Sequence, residues 1–156
     1  MNWNNWNEKI SYQQAGNNIT IDGTNQFFDF LVSAQCWPKY GYHAGCLREA
    51  LKIIEKVDFP EGIITIEGHS MGGAIAQVIG VLLAESGRDV EISVVGAYPV
   101  VLDDTHVKPG TAKIYGNDPA PSLFPWFKFA VEKRYIGPPR KWWKISFKDH
   151  MRYWHV

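Results

Sequence analysis

The sequence predicts an α/β fold in which a mostly parallel central sheet is flanked by helices. Three observations predict it. Apolar, β-branched runs at Ile63–Ile66, Val90–Ala97 and Thr111–Tyr115 read as buried strands. Helical periodicity at Ala44–Lys56 and Ala74–Leu83 alternates with them, which is the pattern of parallel strands joined by crossovers. Between the first strand and the second helix stands Gly68-His69-Ser70-Met71-Gly72, a G-x-S-x-G sequence with a strand before it and a helix after it.

Taken in order, Ile10–Gln14 and Asn18–Ile21 flank the turn sequence AGNN and read as a hairpin. Asn25–Ala34 is apolar and aromatic and reads as a short helix, and QCWPKYGY as a loop. In Ala44–Lys56, Leu47, Ala50, Leu51, Ile53 and Ile54 make one apolar face. VDFPEG ends that helix, and ESGRD turns the chain after the next one. The stretch from Pro119 to Pro139 mixes prolines with aromatics and carries no clear period. Trp142–Phe147 reads as a last strand.

A chain of 156 residues is expected to form one domain over residues 1–156, able to bury roughly 70% of its unfolded surface. Sixteen basic residues balance sixteen acidic ones, so no electrostatic footprint for nucleic acid exists at the level of the whole chain. Cys36 and Cys46 have neither metal-ligand spacing nor the density of a disulfide scaffold, and read as a free, buried pair. The N-terminal sequence lacks a secretory pattern, and no apolar run reaches membrane-spanning length. The expectation is a soluble chain, cytoplasmic by default.

The G-x-S-x-G turn carries the chemistry. Passing from strand to helix within one residue forces a strained backbone, at about 1–3 kcal/mol, and crowds the positions two before and two after the serine. Gly68 and Gly72 suit those places. Ser70 is thereby lifted to a helix start, where N–H groups stabilise an anion. The plainer alternative is a serine that caps the helix.

A serine hydroxyl becomes nucleophilic only when a base takes its proton and an acid holds that base. In this architecture the chain order is serine, acid, histidine. His43, His69 and His106 come too early, and His155 is one residue from the terminus, which leaves His150, two residues past the last expected strand. For the acid, Asp118 lies just beyond TAKIY with Pro119 to stiffen its turn, whereas Asp103 and Asp104 read as solvated turn residues. Asp149 adjoins His150, and neighbours seldom orient each other's side chains. Two oxyanion donors are needed: the N–H of Met71, after the nucleophile, and Thr24, in the loop after ITI, with its N–H and hydroxyl. Thr24 also suits a helix N-cap, and the two roles can coexist.

These residues resemble the class 3, fungal-type lipase family of the α/β-hydrolases. DGTNQFFDFL is similar to the family's oxyanion turn, YHAGCLREA to its histidine-x-glycine helix start, and ITIEGHSMGGAIAQ to its nucleophile segment. VVGAYPVV looks like the strand end that follows, YGNDPAPSLFP like its aspartate turn, and DHMRYW like its histidine-x-x-tyrosine ending. The resemblance implies a reduced α/β-hydrolase fold and a lipase or esterase with Ser70, Asp118 and His150 as triad. It also implies Thr24 and Met71 as oxyanion donors, and a structural role for His43. Asp22 stands where the family usually has arginine, which removes a cation near the site.

The function so read is hydrolysis of an acyl ester, lipid-like, through a Ser70 acyl-enzyme, with no metal or organic cofactor and no nucleic-acid partner. The aromatics between Leu123 and Trp143, with Lys128, Lys133, Arg134, Arg140, Lys141 and Lys144, suit transient contact with a lipid interface; core packing explains the same rings. Residues 25–42 suit either a lid or core. An acyltransferase on the same triad, and a silent hydrolase-fold binding module, stay open.

Overall fold

The computed structural model describes residues 12–22, 32–103, 108–115 and 118–136. Strands β1 (Tyr12–Ala15) and β2 (Asn18–Ile21) form the expected hairpin, antiparallel, with Gly16 at φ 61° in the turn. β2 then pairs in parallel with β5 (Ile64–His69), β5 with β6 (Val90–Val95), β6 with β7 (Gly110–Tyr115), and β7 with β8 (Glu132–Ile136). The sheet order is β1-β2-β5-β6-β7-β8. This is the predicted α/β architecture, with one antiparallel edge strand.

The strands alternate. Ile64, Ile66 and Gly68 of β5, and Val90, Ile92 and Val94 of β6, are buried on one face, while Glu67 and Glu91 on the other are exposed. Helix α2 (Met71–Glu85) lies on the buried face. It is buried nearly all round because helix α1 (Ala44–Lys56) covers its far side. Ile75, Val78, Ile79 and Val81 are inaccessible, and each such side chain contributes about 1.5–3 kcal/mol. α1 instead buries one stripe: Cys46, Leu47, Ala50 and Ile53 face inward and Leu51 faces solvent.

α1 starts at His43, whose Nδ1 accepts the Cys46 N–H at 3.2 Å. The ring is fully buried, and burial pushes its pKa down from 6.5 to about 4. It stays neutral, as a cap acceptor must. Cys36 and Cys46 are both free, as expected, but only Cys46 is buried; Cys36 is half-buried. Burial pushes the Cys46 thiol up to about 12.

Two segments differ from the sequence reading. QCWPKYGY, expected as a loop, holds a miniature hairpin, β3 (Pro38–Lys39) against β4 (Tyr42–His43), with Tyr40 at φ 53° in its turn. The stretch after Pro119 holds a 3-10 turn, Ala120–Ser122, and then β8. β8 reads EKRYI, with four exposed side chains and one half-buried, so no apolar period announces the last strand of the described sheet. Of the helix expected at 25–34, residues 32–34 are helical and 25–31 lie outside the described residues, as does the strand expected at 142–147. Among the described residues no helix is long and apolar enough to cross a membrane.

The chain from β6 to β7 and from β7 to β8 crosses without an α-helix among the described residues, and α2 supplies what those crossings lack. The buried Gln77 side chain donates to the Tyr98 carbonyl at 3.1 Å and accepts the Ala130 N–H at 3.0 Å.

Candidate active site

Strand β5 ends at His69 and α2 begins at Met71, so a single residue makes the turn. That residue, Ser70, has φ 55° and ψ −122°, a region that side-chain-bearing residues rarely occupy. Its backbone is held from both sides: the N–H donates to the Val95 carbonyl at 3.0 Å and the carbonyl accepts the Ala74 N–H at 3.0 Å. The surroundings thus fix a conformation that costs about 1–3 kcal/mol on its own. Ser70 makes no side-chain capping hydrogen bond to α2. The capping alternative is therefore not the one the structure adopts, and the half-buried hydroxyl stands at the head of the helix.

Met71 buries its side chain, at 1% exposure, and gives α2 its first N–H. The first N–H groups of a helix have no intrahelical acceptor and sit at the positive end of its dipole. An anion forming beside Ser70 meets that end.

Asp118 follows β7 as Ser70 follows β5, so both leave the C-terminal edge of the sheet with β6 between them. Two strand spacings separate the parent strands, about 10 Å. Ligands of open α/β sheets gather at this edge. Asp118 is 1% exposed, and its Oδ1 accepts the Ala120 N–H at 2.9 Å, while Pro119 at φ −73° starts the 3-10 turn. The carboxylate is oriented by its own turn.

Thr24 and His150 lie outside the described residues, so of the five expected site residues the structure describes Ser70, Met71 and Asp118. Phe27, Phe28, Phe30 and Leu31, the apolar side chains of the lid-or-core segment, also lie outside. His69 lines a concavity of about 290 Å³ with Thr20, Asp22, Glu67 and Ser93, on the sheet face away from the helices. It lies on the face away from α2. The aromatic run after Asp118 divides: Phe127 and Phe129 are core, Phe124 is half-buried, and Trp126 is exposed, with its indole N–H donating to the Cys36 carbonyl at 2.9 Å.

Sequence reasoning did not find the ring cluster behind the site. His43 lies 5.0 Å from Phe124, and 5.5 Å from both Tyr98 and Phe127, measured between ring centroids. Phe124 has φ 55°, an outlier for a bulky residue. These residues come from three separate stretches of chain, and no local pattern links them.

Comparison with known proteins identifies a family and a fold. The family described as lipase (class 3) matches residues 11–127, a span that holds Thr24, Ser70, Met71 and Asp118 and stops short of His150. The crystal structure of Lip2 lipase from Yarrowia lipolytica is similar, with a TM-score of 0.56 at 17% identity, covering 81% of this chain and 59% of that one. The nonglycosylated form of the same lipase gives 0.54 at 16% identity, covering 80% and 59%. The chain therefore spans less than two thirds of the length of these structures, and at this identity the likeness is one of fold. A search of curated proteins found no match.

Proposed function

Because the chain belongs to the class 3 lipase family, we propose that it is a serine carboxylic-ester hydrolase acting on lipid-like acyl esters. The observation that carries this reading is Ser70: a strained residue at a helix head whose side chain does not cap the helix. Strain of this kind persists where a function uses it.

In the proposed cycle the Ser70 Oγ attacks the ester carbonyl carbon while His150 takes its proton. Asp118 aims the imidazole and stabilises its charge. The carbonyl oxygen becomes an oxyanion and is met by the Met71 N–H and by Thr24. Collapse breaks the bond to the alcohol, which leaves with the proton from His150. Water then attacks the acyl-enzyme, gives a proton to His150, and releases the acid as Ser70 recovers its own. Two features support the roles: the start of α2 directly after Ser70, whose side chain does not cap it, and the turn that orients Asp118 at the same sheet edge.

The reading extends to a lipid–water interface as the place of work. Trp126, Lys128, Lys133 and Arg134 are exposed, and rings with cations beside them suit anionic head groups.

Hydrolysis of p-nitrophenyl esters from acetate to palmitate, with Ser70→Ala as control, tests the proposal. Activity that disappears in the folded variant supports it. A folded wild type that neither turns over any ester nor takes a fluorophosphonate label at Ser70 would sink it and leave the silent binding module as the better account.

A further inference from the structure

The turn of the miniature hairpin carries a residue that folding alone does not favour. Tyr40 and Gly41 are its two loop residues, and both have positive φ, 53° and 87°. Turns of this kind favour Asn-Gly, because asparagine and glycine accept the left-handed region and a bulky ring does not. The Tyr40 ring recovers little by packing, since it is 84% exposed. Contact with something outside the chain would explain a strained ring that points outward.

Other apolar side chains gather at the same hairpin. Trp37, three residues earlier and so within about 11 Å, is 56% exposed. The Trp126 indole N–H donates to the carbonyl of Cys36, the residue before Trp37, and leaves that ring half exposed. Leu102, also exposed, is held at the turn by its N–H, which donates to the Gly41 carbonyl at 3.0 Å. Cations accompany them. Across the hairpin and its neighbours runs one row: Lys39 opposite Tyr42, Tyr42 opposite Val101, and Val101 opposite Lys128. Tyr42 and Val101 are buried, and the lysines at the two ends are exposed, three strand spacings or about 14 Å apart. The Lys39 ammonium stands 5.9 Å from the centroid of the Tyr40 ring. Asp103, the residue after Leu102, is the acidic neighbour.

We propose that the β3–β4 hairpin, with Leu102 and Trp126 beside it, docks on an anionic lipid surface. Tyr40 and Trp37 enter between the head groups, while Lys39 and Lys128 meet the phosphates. Amphipathic rings suit that boundary, and lysine stems let the charge stay at head-group depth. Trp126 approaches it with its one donor already satisfied inside the protein, so no polar group is stranded. A projecting turn suits a fluid surface, whereas a stable protein partner needs a broad one. Ser70, Met71 and Asp118 take no part in this surface. The inference rests on the lipid-ester reading above for its purpose, and adds the element that would hold the enzyme on an aggregate of its substrate.

Co-sedimentation of Ser70→Ala, which leaves lipid intact, with vesicles of phosphatidylcholine with and without phosphatidylglycerol reads the docking. The mixed vesicles should bind it more tightly, and Lys39→Gln should weaken that binding by about five-fold. Tyr40→Asn gives the turn its preferred residue, so the fold survives; combined with Trp37→Gln it should lower partition by at least ~10-fold. Leu51→Gln, which removes an exposed apolar side chain from α1, should change nothing. With Ser70 intact, the Tyr40→Asn, Trp37→Gln pair should keep its rate on dissolved p-nitrophenyl butyrate and lose it on vesicles. Unchanged vesicle binding in that pair overturns the proposal, as does an equal loss in Leu51→Gln or binding indifferent to phosphatidylglycerol. A dimer that Tyr40→Asn dissociates overturns it in favour of a second copy. If the pair does not fold, Tyr40→Asn alone carries the test. A wild type that binds vesicles through Tyr40 yet shows no Ser70-dependent hydrolysis overturns the hydrolase reading and leaves the docking surface standing.

Discussion

Gly68 and Gly72 face each other across the Ser70 turn so closely that a Cβ on Gly68 would stand 2.5 Å from the Gly72 carbonyl oxygen. No flexible side chain yields there, because the obstacle is backbone. Gly68→Ala should therefore cost about 1–3 kcal/mol by overpacking and should displace the nucleophile. Urea titration and ester hydrolysis on the same preparation check both effects, and an alanine variant of native stability and rate contradicts the steric account.

The strain at Ser70 predicts an inverse effect. Glycine accepts φ 55° without the penalty, so Ser70→Gly should raise stability by about 1 kcal/mol while hydrolysis disappears. Calorimetry of the two proteins decides it: a lower Tm in the glycine variant means that the turn is not strained.

Asp118→Asn keeps the Oδ1 that accepts the Ala120 N–H, so the turn and the fold should survive. An amide cannot hold the base in its productive tautomer, and activity should fall by about 10⁴-fold. Circular dichroism reports the first and steady-state kinetics the second. An active Asp118→Asn would move the acid elsewhere.

His43 makes stability depend on acid in a stated direction. Its folded pKa, about 4, lies below the unfolded value of 6.5. Between those values the unfolded chain binds a proton that the folded chain refuses, so stability is complete above pH 6.5 and declines as pH falls toward 4. The loss is on the order of 3 kcal/mol for a shift of this size. Denaturant midpoints measured across that window in wild type and His43→Asn isolate the term, because the variant should lose that share of the slope.

Much of the fold was legible because its central elements repeat a local rule. The apolar stripe of α1 and the β-branched runs of β5, β6 and β7 announce themselves within a few residues. β8 did not, since a strand whose side chains are charged and exposed carries no apolar period, and β3 and β4, at two residues each, are too short to show one. In the candidate site, the tight turn at Ser70 was legible from the glycines around it and the turn at Asp118 from its proline. The contact of the His43 Nε2 with the Ser33 carbonyl, at 3.2 Å, was not, because it depends on which stretch of chain is brought against the head of α1.

The Gln77 side chain has a consequence for the order in which the molecule assembles. A helical crossover forms its own ladder as it grows. The chain through Tyr98 and Ala130 instead borrows bonds from a carboxamide on α2. Those two bonds form only after α2 has docked on β5, and others join the two crossings to each other, as in Val100 and Val101 to Lys128, so the pairing of β7 and β8 belongs to a late step with high loop-closure entropy. During refolding, amide protons of β5 and α2 should become protected first, and β8 should be the last of the described parallel strands to join.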